Sequence, residues 1–381
     1  MKDKKRILIF TENKNIEYTQ AIKDYLALNK SQLPIIIGEE EFQNIFFRLV
    51  KEKYFSDEGF VVRTADIIKD KFSLKKFDKL PKQDIVFNKS SSSCQRALNM
   101  FLRYHPNLVI LTSAYKMKEI LSARMRSHPE VPVVMIMPSF TLNKQCINKQ
   151  IDLYVVDNLG VKKGLMKEGV AESKILVSDM PLTPEFDTAF DKNSIYEQYS
   201  FTKHKITVLV SVPQGNTAGI KEAFAELGLA KQEFNIIADC GYDRKMLVSA
   251  RDAGLTAVNE GANVNAIYAI ADAVVGRPVL SSVAKAYYRN ALFFALPPAN
   301  EEEKRAQAYL SGSLINVKLM EMDKKEKTII ITEDTLVHKL QEFRKSPKSF
   351  DSFYQAIESH NAERTRGALF KKLDELLGKG K

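Results

Sequence analysis

Apolar residues along this chain gather into short dense runs, separated by longer stretches in which they recur every three or four positions. Ile7-Leu8-Ile9-Phe10, Leu108 to Leu111, Val133 to Met137 and Ile151 to Val156 lack regular polar alternation, the pattern of strands buried on both faces. Between them, Tyr18 to Leu28 places Ile22, Tyr25 and Leu26 on one side of a helix. Further helices are predicted over Cys94 to Tyr104, Met117 to Arg126 and Val161 to Glu168. His105-Pro106-Asn107 supplies a stop for the first of these and Gly169 for the last. A short strand is read at Pro34 to Ile37. The region from 41 to 82 mixes phenylalanines and tyrosines with lysines and arginines and shows no clear period. Strands alternating with helices in this way predict a parallel sheet covered on both faces.

The alternation restarts with a strand at Lys205 to Val210. It continues through a helix at Gly219 to Leu227, a strand at Asn235 to Ala238, a helix at Arg244 to Ala253 ended by Gly254, and a strand at Leu255 to Val258. Strands at Ala273 to Val275 and Leu292 to Leu296 follow, with helices at Ser281 to Tyr288 and Glu301 to Leu310. Amphipathic helices at Thr335 to Arg344, Ser349 to Ser359 and Ala362 to Leu377 close the chain. The expected organisation is a first α/β domain over 1–186 with an insertion at about 41–82, a linker over 187–204, a second α/β domain over 205–355, and a C-terminal helix and tail over 356–381.

Composition supports two folded domains. A chain of 381 residues exceeds one ordinary core, and 45% hydrophobic with 27% charged residues is globular rather than disordered. The apolar run at 7–10 stops at once in Thr11-Glu12-Asn13-Lys14, unlike a signal peptide, and the run at Val131 to Met137 is far too short to cross a bilayer. A cytoplasmic protein is expected. Cys94, Cys146 and Cys240 lie far apart with no Cys-x-x-Cys pair, so neither a disulfide framework nor a metal site is expected. The formal charge of +10 favours polyanions in general. No zinc finger, recognition helix or ribonucleoprotein signature accompanies it, and nucleic acid is not expected as a partner.

Several stretches carry a family resemblance. Arg96-Ala97-Leu98-Asn99, Tyr104 to Ile110, Ile151-Asp152-Leu153-Tyr154-Val155-Val156, Gly164 to Val170 and Met180-Pro181-Leu182-Thr183-Pro184-Glu185-Phe186 follow one another in the first domain. In the second, Ala271-Asp272-Ala273-Val274-Val275-Gly276-Arg277-Pro278 resembles an "A-D-V-V-V-x-R/K-x-G" strand. In this order the chain resembles the GT-B glycosyltransferases that include monogalactosyldiacylglycerol synthase, processive diacylglycerol glucosyltransferase and the peptidoglycan-precursor N-acetylglucosaminyltransferase. The resemblance implies two Rossmann-like, doubly wound domains facing across a cleft. It also implies a UDP-sugar on the second domain, a lipid acceptor approaching the first at the inner, anionic face of the membrane, and no further cofactor.

The motifs of that family are altered here. The turn after the first strand, which in relatives holds "G-x-G-H", is Asn13-Lys14-Asn15-Ile16, and the segment resembling "T-D-F-x-x-H-x-x-W" is Pro138 to Cys146, where only Phe140 matches. The turn of the donor half keeps Gln214-Gly215-Asn216 but not the preceding glycines. The "G-G-x-T-x-x-E" loop and helix reads Val279-Leu280-Ser281-Ser282-Val283-Ala284-Lys285, with a lysine in place of the ribose-holding glutamate. An ammonium cannot accept hydroxyl hydrogen bonds but can meet a phosphate as a point charge.

The nucleotide-sugar candidates are therefore Gln214, Gly215, Asn216, Gly241, Arg277, Ser281, Ser282, Lys285, Asn300 and Glu301. Several also have a plain structural account: an N-cap for Ser281 and Ser282, a tight turn for Gly241, a surface position on a helix for Lys285, and a charged helix start for Asn300 and Glu301. No residue is assigned as catalytic base, Glu12 and Glu17 being the carboxylates nearest in sequence. All five histidines are read as loop or helix-surface residues. Two functions stay open: transfer of a sugar from a UDP-sugar to a lipid-type acceptor, or a non-catalytic scaffold that keeps the fold after losing the chemistry.

Overall fold

The computed structural model describes residues 4–12, 15–42, 92–213, 216–259, 262–322, 329–330, 332–364 and 367–379. The aromatic and basic stretch read at 41–82 lies, from residue 43 on, outside the described residues.

Six strands form the first sheet: β1 (Lys5–Phe10), β2 (Gln32–Ile37), β3 (Leu108–Leu111), β4 (Val133–Met137), β5 (Leu153–Val156) and β6 (Ile175–Val177). All pair in parallel, in the order β2-β1-β3-β4-β5-β6. The absence of polar alternation in the sequence has a direct cause, since alternate residues of each strand enter two different cores. Ile7, Ile9, Leu108, Ile110, Val134 and Ile136 face one side, while Leu8, Phe10, Val109, Leu111, Val133 and Met135 face the other. Helix α1 (Ile16–Leu28) covers the first side through Tyr18, Ile22 and Leu26. Helices α2 (Ser92–Tyr104), α3 (Met117–Ser127) and α4 (Leu159–Lys167) cover the second.

The stretch read as a linker contains a helix, α5 (Lys192–Gln198), capped by Asp191 and anchored by Ile195 against Ala266 and Ile270. One buried residue in seven positions leaves too little periodicity to announce a helix. The second sheet comprises β7 (Thr207–Ser211), β8 (Asn235–Asp239), β9 (Thr256–Val258), β10 (Ala273–Gly276), β11 (Leu292–Ala295) and β12 (Leu314–Asn316). Its order is β12-β11-β10-β7-β8-β9, all parallel. Counted from its own first strand this is 3-2-1-4-5-6, the doubly wound arrangement in which ligands meet the crevice between the first and fourth strands. Helices α6 (Ile220–Leu229), α7 (Arg244–Asp252), α8 (Val264–Ile270), α9 (Leu280–Tyr288) and α10 (Glu301–Tyr309) flank it, and a two-stranded pair, β13 (Glu321–Met322) with β14 (Ile329–Ile330), precedes the closing helices.

Those closing helices are α11 (Leu336–Lys345), α12 (Asp351–Ala362) and α13 (Ala368–Lys379). The last returns to the first sheet. Phe370 stacks on Tyr25 of α1 at 4.4 Å, and Gln32 of β2 donates to the Asp374 carboxylate at 2.7 Å. Leu369, Leu373 and Leu377 thereby join an apolar cluster that runs from one face of the first sheet into the core of the second. The amphipathic pattern of this last helix serves to bury it across the two halves.

Candidate functional site

The loops that leave β7 and β10 part at the crevice of the second sheet. Ser211 and Gly276, the last residues of these strands, are register partners. A side chain at Gly276 would place its Cβ 3.1 Å from the Ser211 carbonyl oxygen, so the glycine lets the two strand ends approach. The Ser282 hydroxyl is buried and lies 3.0 Å from that of Ser211, tying α9 to β7. Ser281 stays partly exposed. Val279, the residue ahead of α9, provides no side-chain cap, which leaves the first-turn N–H groups without a side-chain acceptor and favours an anion there.

Arg277 is 1% exposed and engaged by the protein itself. Its Nε donates to both carboxylate oxygens of Glu303, at 3.1 and 3.0 Å, and its Nη1 donates to the Ala218 carbonyl at 2.6 Å. Glu303 also accepts from the Ala299 N–H at 2.9 Å, from the Asn300 side chain at 3.1 Å and from that of Asn216 at 3.4 Å. One buried carboxylate therefore gathers Arg277, Asn216 and Asn300 from three loops. The Arg277 guanidinium thus already has an anion and a carbonyl of the protein as partners. Asn300 is in addition the N-cap of α10, accepting from the Glu303 N–H at 2.9 Å.

Glu301, one position on, points into solvent and pairs with Lys304 at 2.7 Å, which lowers its pKa. Gly241 forms a tight turn after β8, with φ of 49° and its N–H donating to the Asp239 carboxylate at 3.2 Å. Gln214 and Gly215 lie outside the described residues.

Lys285 is drawn across the cleft. Its ammonium pairs with the Glu17 carboxylate from the first turn of α1, lies 5.8 Å from the centre of the Tyr268 ring, and feels the Asp239 carboxylate. Burial alone would favour the neutral amine, but these anions and the ring hold its pKa above the ordinary lysine range. It remains a cation in a largely buried place rather than a solvated lysine on a helix.

Sequence reasoning missed a second cluster. Asp157, directly after β5, is fully buried, with Arg364 at 3.1 Å and the Nε2 of His360 at 3.6 Å. His360 is not on a helix surface, as the sequence reading expected. It is 8% exposed on α12, packed among the rings of Phe140, Tyr287 and Tyr309, because α12 runs into the junction between the two halves. Burial raises the pKa of Asp157 to about 6, outweighing the pull of Arg364. Burial and the nearby Arg364 charge push His360 down to about 3. The buried Tyr18 hydroxyl senses Asp157 and Arg364 on one side and Ser281 on the other, and so links this cluster to the start of α9. No spacing in the chain announces the cluster; the one sequence signal was Phe140, kept while its motif neighbours changed.

Cys94, Cys146 and Cys240 are buried free thiols. Among the described residues no group of three or more His, Cys, Asp or Glu side chains could hold a metal ion, and no helix is long and apolar enough to cross a membrane.

Residues 15–182 match the family model described as monogalactosyldiacylglycerol (MGDG) synthase. The processive diacylglycerol beta-glucosyltransferase of Bacillus licheniformis is 22% identical over 281 residues, covering 70% of this chain and 72% of that protein. Its namesake from Bacillus subtilis is 21% identical over 247 residues, covering 62% of this chain and 64% of that protein. Among solved structures, MurG of Acinetobacter baumannii superposes with a TM-score of 0.57 at 10% identity, covering 98% of this chain and 99% of the other. The S. aureus MnaA–UDP co-structure gives 0.55 at 12% identity, covering 95% and 93%. A Neisseria meningitidis UDP-GlcNAc 2-epimerase gives 0.55 at 10%, covering 98% and 100%. The structures establish the two-Rossmann fold, which serves transferases and epimerases alike. The resemblance to lipid-directed glycosyltransferases drawn from the sequence holds.

Proposed function

We propose that this protein is a glycosyltransferase that moves a sugar from a UDP-sugar to a hydroxyl of a lipid-type acceptor, working from the cytoplasm at the inner face of the membrane. The observation that carries this reading is the match of residues 15–182 to the MGDG synthase model, on a chain whose second sheet has the doubly wound order. The donor's diphosphate would meet the open first turn of α9, with Ser281 and Lys285 one helical turn apart on the same face. The Glu303 cluster would act indirectly, by holding the loop from Asn216 to Ala218 against Arg277. The acceptor hydroxyl must lose its proton as the glycosidic bond forms and UDP departs. Asp157 has the buried position and raised pKa suited to a proton acceptor near neutrality. The basic surface implied by a net charge of +10 would favour an anionic lipid face.

One observation favours a non-catalytic scaffold instead: both cations of the candidate donor site, Arg277 and Lys285, are paired with carboxylates of the protein itself. Two measurements separate the readings. Calorimetric titration with UDP and UDP-sugars should show micromolar binding that Ser281→Ala weakens, and UDP should be released when the protein is mixed with a UDP-hexose and diacylglycerol vesicles. Binding without release would favour the scaffold, and no binding of any nucleotide would remove the donor site altogether.

A further inference from the structure

Two helix N-termini confront each other across the cleft. The first turn of α1 presents Glu17 and Tyr18, and α9 presents Ser281 with Lys285 one turn further on. Neither helix is capped by a side chain. Asn15, ahead of α1, makes no capping bond and donates instead to the Thr112 carbonyl at 2.8 Å, and Val279 ahead of α9 has nothing to offer. Both positive dipole ends and the Lys285 ammonium therefore bear on the same small region. The Tyr18 hydroxyl beside it is 5% exposed and makes no hydrogen bond of normal geometry. The Lys285 ammonium and two uncapped helix ends favour an anion here, and the anion that pairs with Lys285 is the protein's own, with the Asp239 carboxylate behind it. Glu17, half-exposed, reaches over from the first domain and pairs with Lys285 of the second.

We propose that Glu17 is a built-in competitor for the donor diphosphate: it holds Lys285 in this structure and must release it when a nucleoside diphosphate binds. The inference rests on the donor site assigned above, and it adds a residue of the other domain that sets the affinity of that site. A diphosphate carries more charge than one carboxylate and can accept from the α9 N–H groups, Ser281 and Lys285 together, so it can displace Glu17, but only at the cost of breaking an interdomain ion pair. Apparent affinity is reduced by the fraction of molecules in which the pair is open. Uridine has no phosphate and should be indifferent to it.

The test is calorimetry with UDP, inorganic pyrophosphate and uridine on the wild type, Glu17→Gln, Lys285→Gln and the double variant, each checked by thermal melting. Glu17→Gln should tighten UDP and pyrophosphate about tenfold, the factor expected if the open form is raised from about one molecule in ten to nearly all, and leave uridine unchanged. Lys285→Gln should weaken UDP, and adding Glu17→Gln to it should bring no gain, since the two residues act through one contact. Glu17→Asp, which shortens the reach while keeping the charge, should shift UDP binding in the same direction by less, and it stands in if Glu17→Gln fails to fold. Equal or weaker UDP binding by both Glu17 variants, with wild-type binding intact, would overturn the competitor role and leave the donor site standing. Absence of UDP binding in every variant would overturn both.

Discussion

At the scale of single residues, neighbours in sequence have opposite roles. Glu303 is buried and satisfies Arg277, Asn216, Asn300 and a backbone N–H, whereas Glu301, two positions earlier, is solvated. Removing one partner of a buried ion pair strands the other charge, so Glu303→Ala should lower stability by about 3–5 kcal/mol in denaturant unfolding. Glu301→Gln should leave the unfolding midpoint where it is. The serines divide likewise. Ser282→Ala removes a buried hydroxyl contact with Ser211 and should cost about 1 kcal/mol of stability. Ser281→Ala should act on nucleotide binding with little change in stability. An equal effect of both serines on binding would place Ser282 at the ligand and refute its anchoring role.

At the scale of elements, the second domain depends on how closely its helices approach. Gly228 near the end of α6 faces the end of α7, and a Cβ there would lie 2.5 Å from the Ala253 carbonyl oxygen. That neighbour is backbone and cannot swing aside, so Gly228→Ala should separate the two helices and cost about 1–3 kcal/mol, despite alanine's better helix propensity. A neutral or stabilising result in thermal melts would show that the helices can part freely. Elements with a dense apolar run or a clear stripe were legible in the sequence because that pattern is local: Val133 to Met137 and the α1 stripe of Ile22 and Leu26 were read as they stand. Elements without a dense apolar run or a stripe of their own were not. β6, β12 and α5 have three, three and seven residues, and each is held by a single packing neighbour or strand partner rather than by its own pattern.

At the scale of the whole molecule, the Asp157–His360–Arg364 cluster joins the first sheet to the C-terminal helices and gives that junction a pH dependence. His360, with its pKa lowered to about 3, contributes stability above pH 6.5 that is lost as the pH falls through its folded value, because the unfolded chain takes up the proton first. Asp157, raised to about 6, acts in the opposite sense: its contribution is full below the ordinary carboxylate range near 4 and is lost as the pH rises through 6. Each slope is at most about 1.4 kcal/mol per pH unit. Between about pH 4 and 6 they oppose each other, and below 4 the histidine acts alone. The contribution of the cluster, read as the difference between melts of the wild type and of the double variant Asp157→Asn/His360→Gln, should thus change little from pH 6 to 4 and fall below it. Relative to that double variant, Asp157→Asn should lose stability steadily from pH 6.5 downward, and His360→Gln should gain it from pH 6 to 4. Identical profiles for all four proteins would mean that the cluster is hydrated and its groups titrate normally.

The sequence by itself determined the α/β class, the two series of strands and helices, the likeness to lipid-directed glycosyltransferases and the positions where that family's histidine, glycines and glutamate are replaced, since these rest on local periodicity and motif order. Tertiary structure alone decided which partners the charged side chains find within the protein. The fold brings Glu303 to Arg277, brings Glu17 from the other domain to Lys285, and carries His360, read as a surface histidine, on α12 into the junction. The charge on a side chain is written in the chain, but whether it is free to meet a ligand depends on which opposite charge and how much buried surface long-range packing sets against it. No local pattern encodes that.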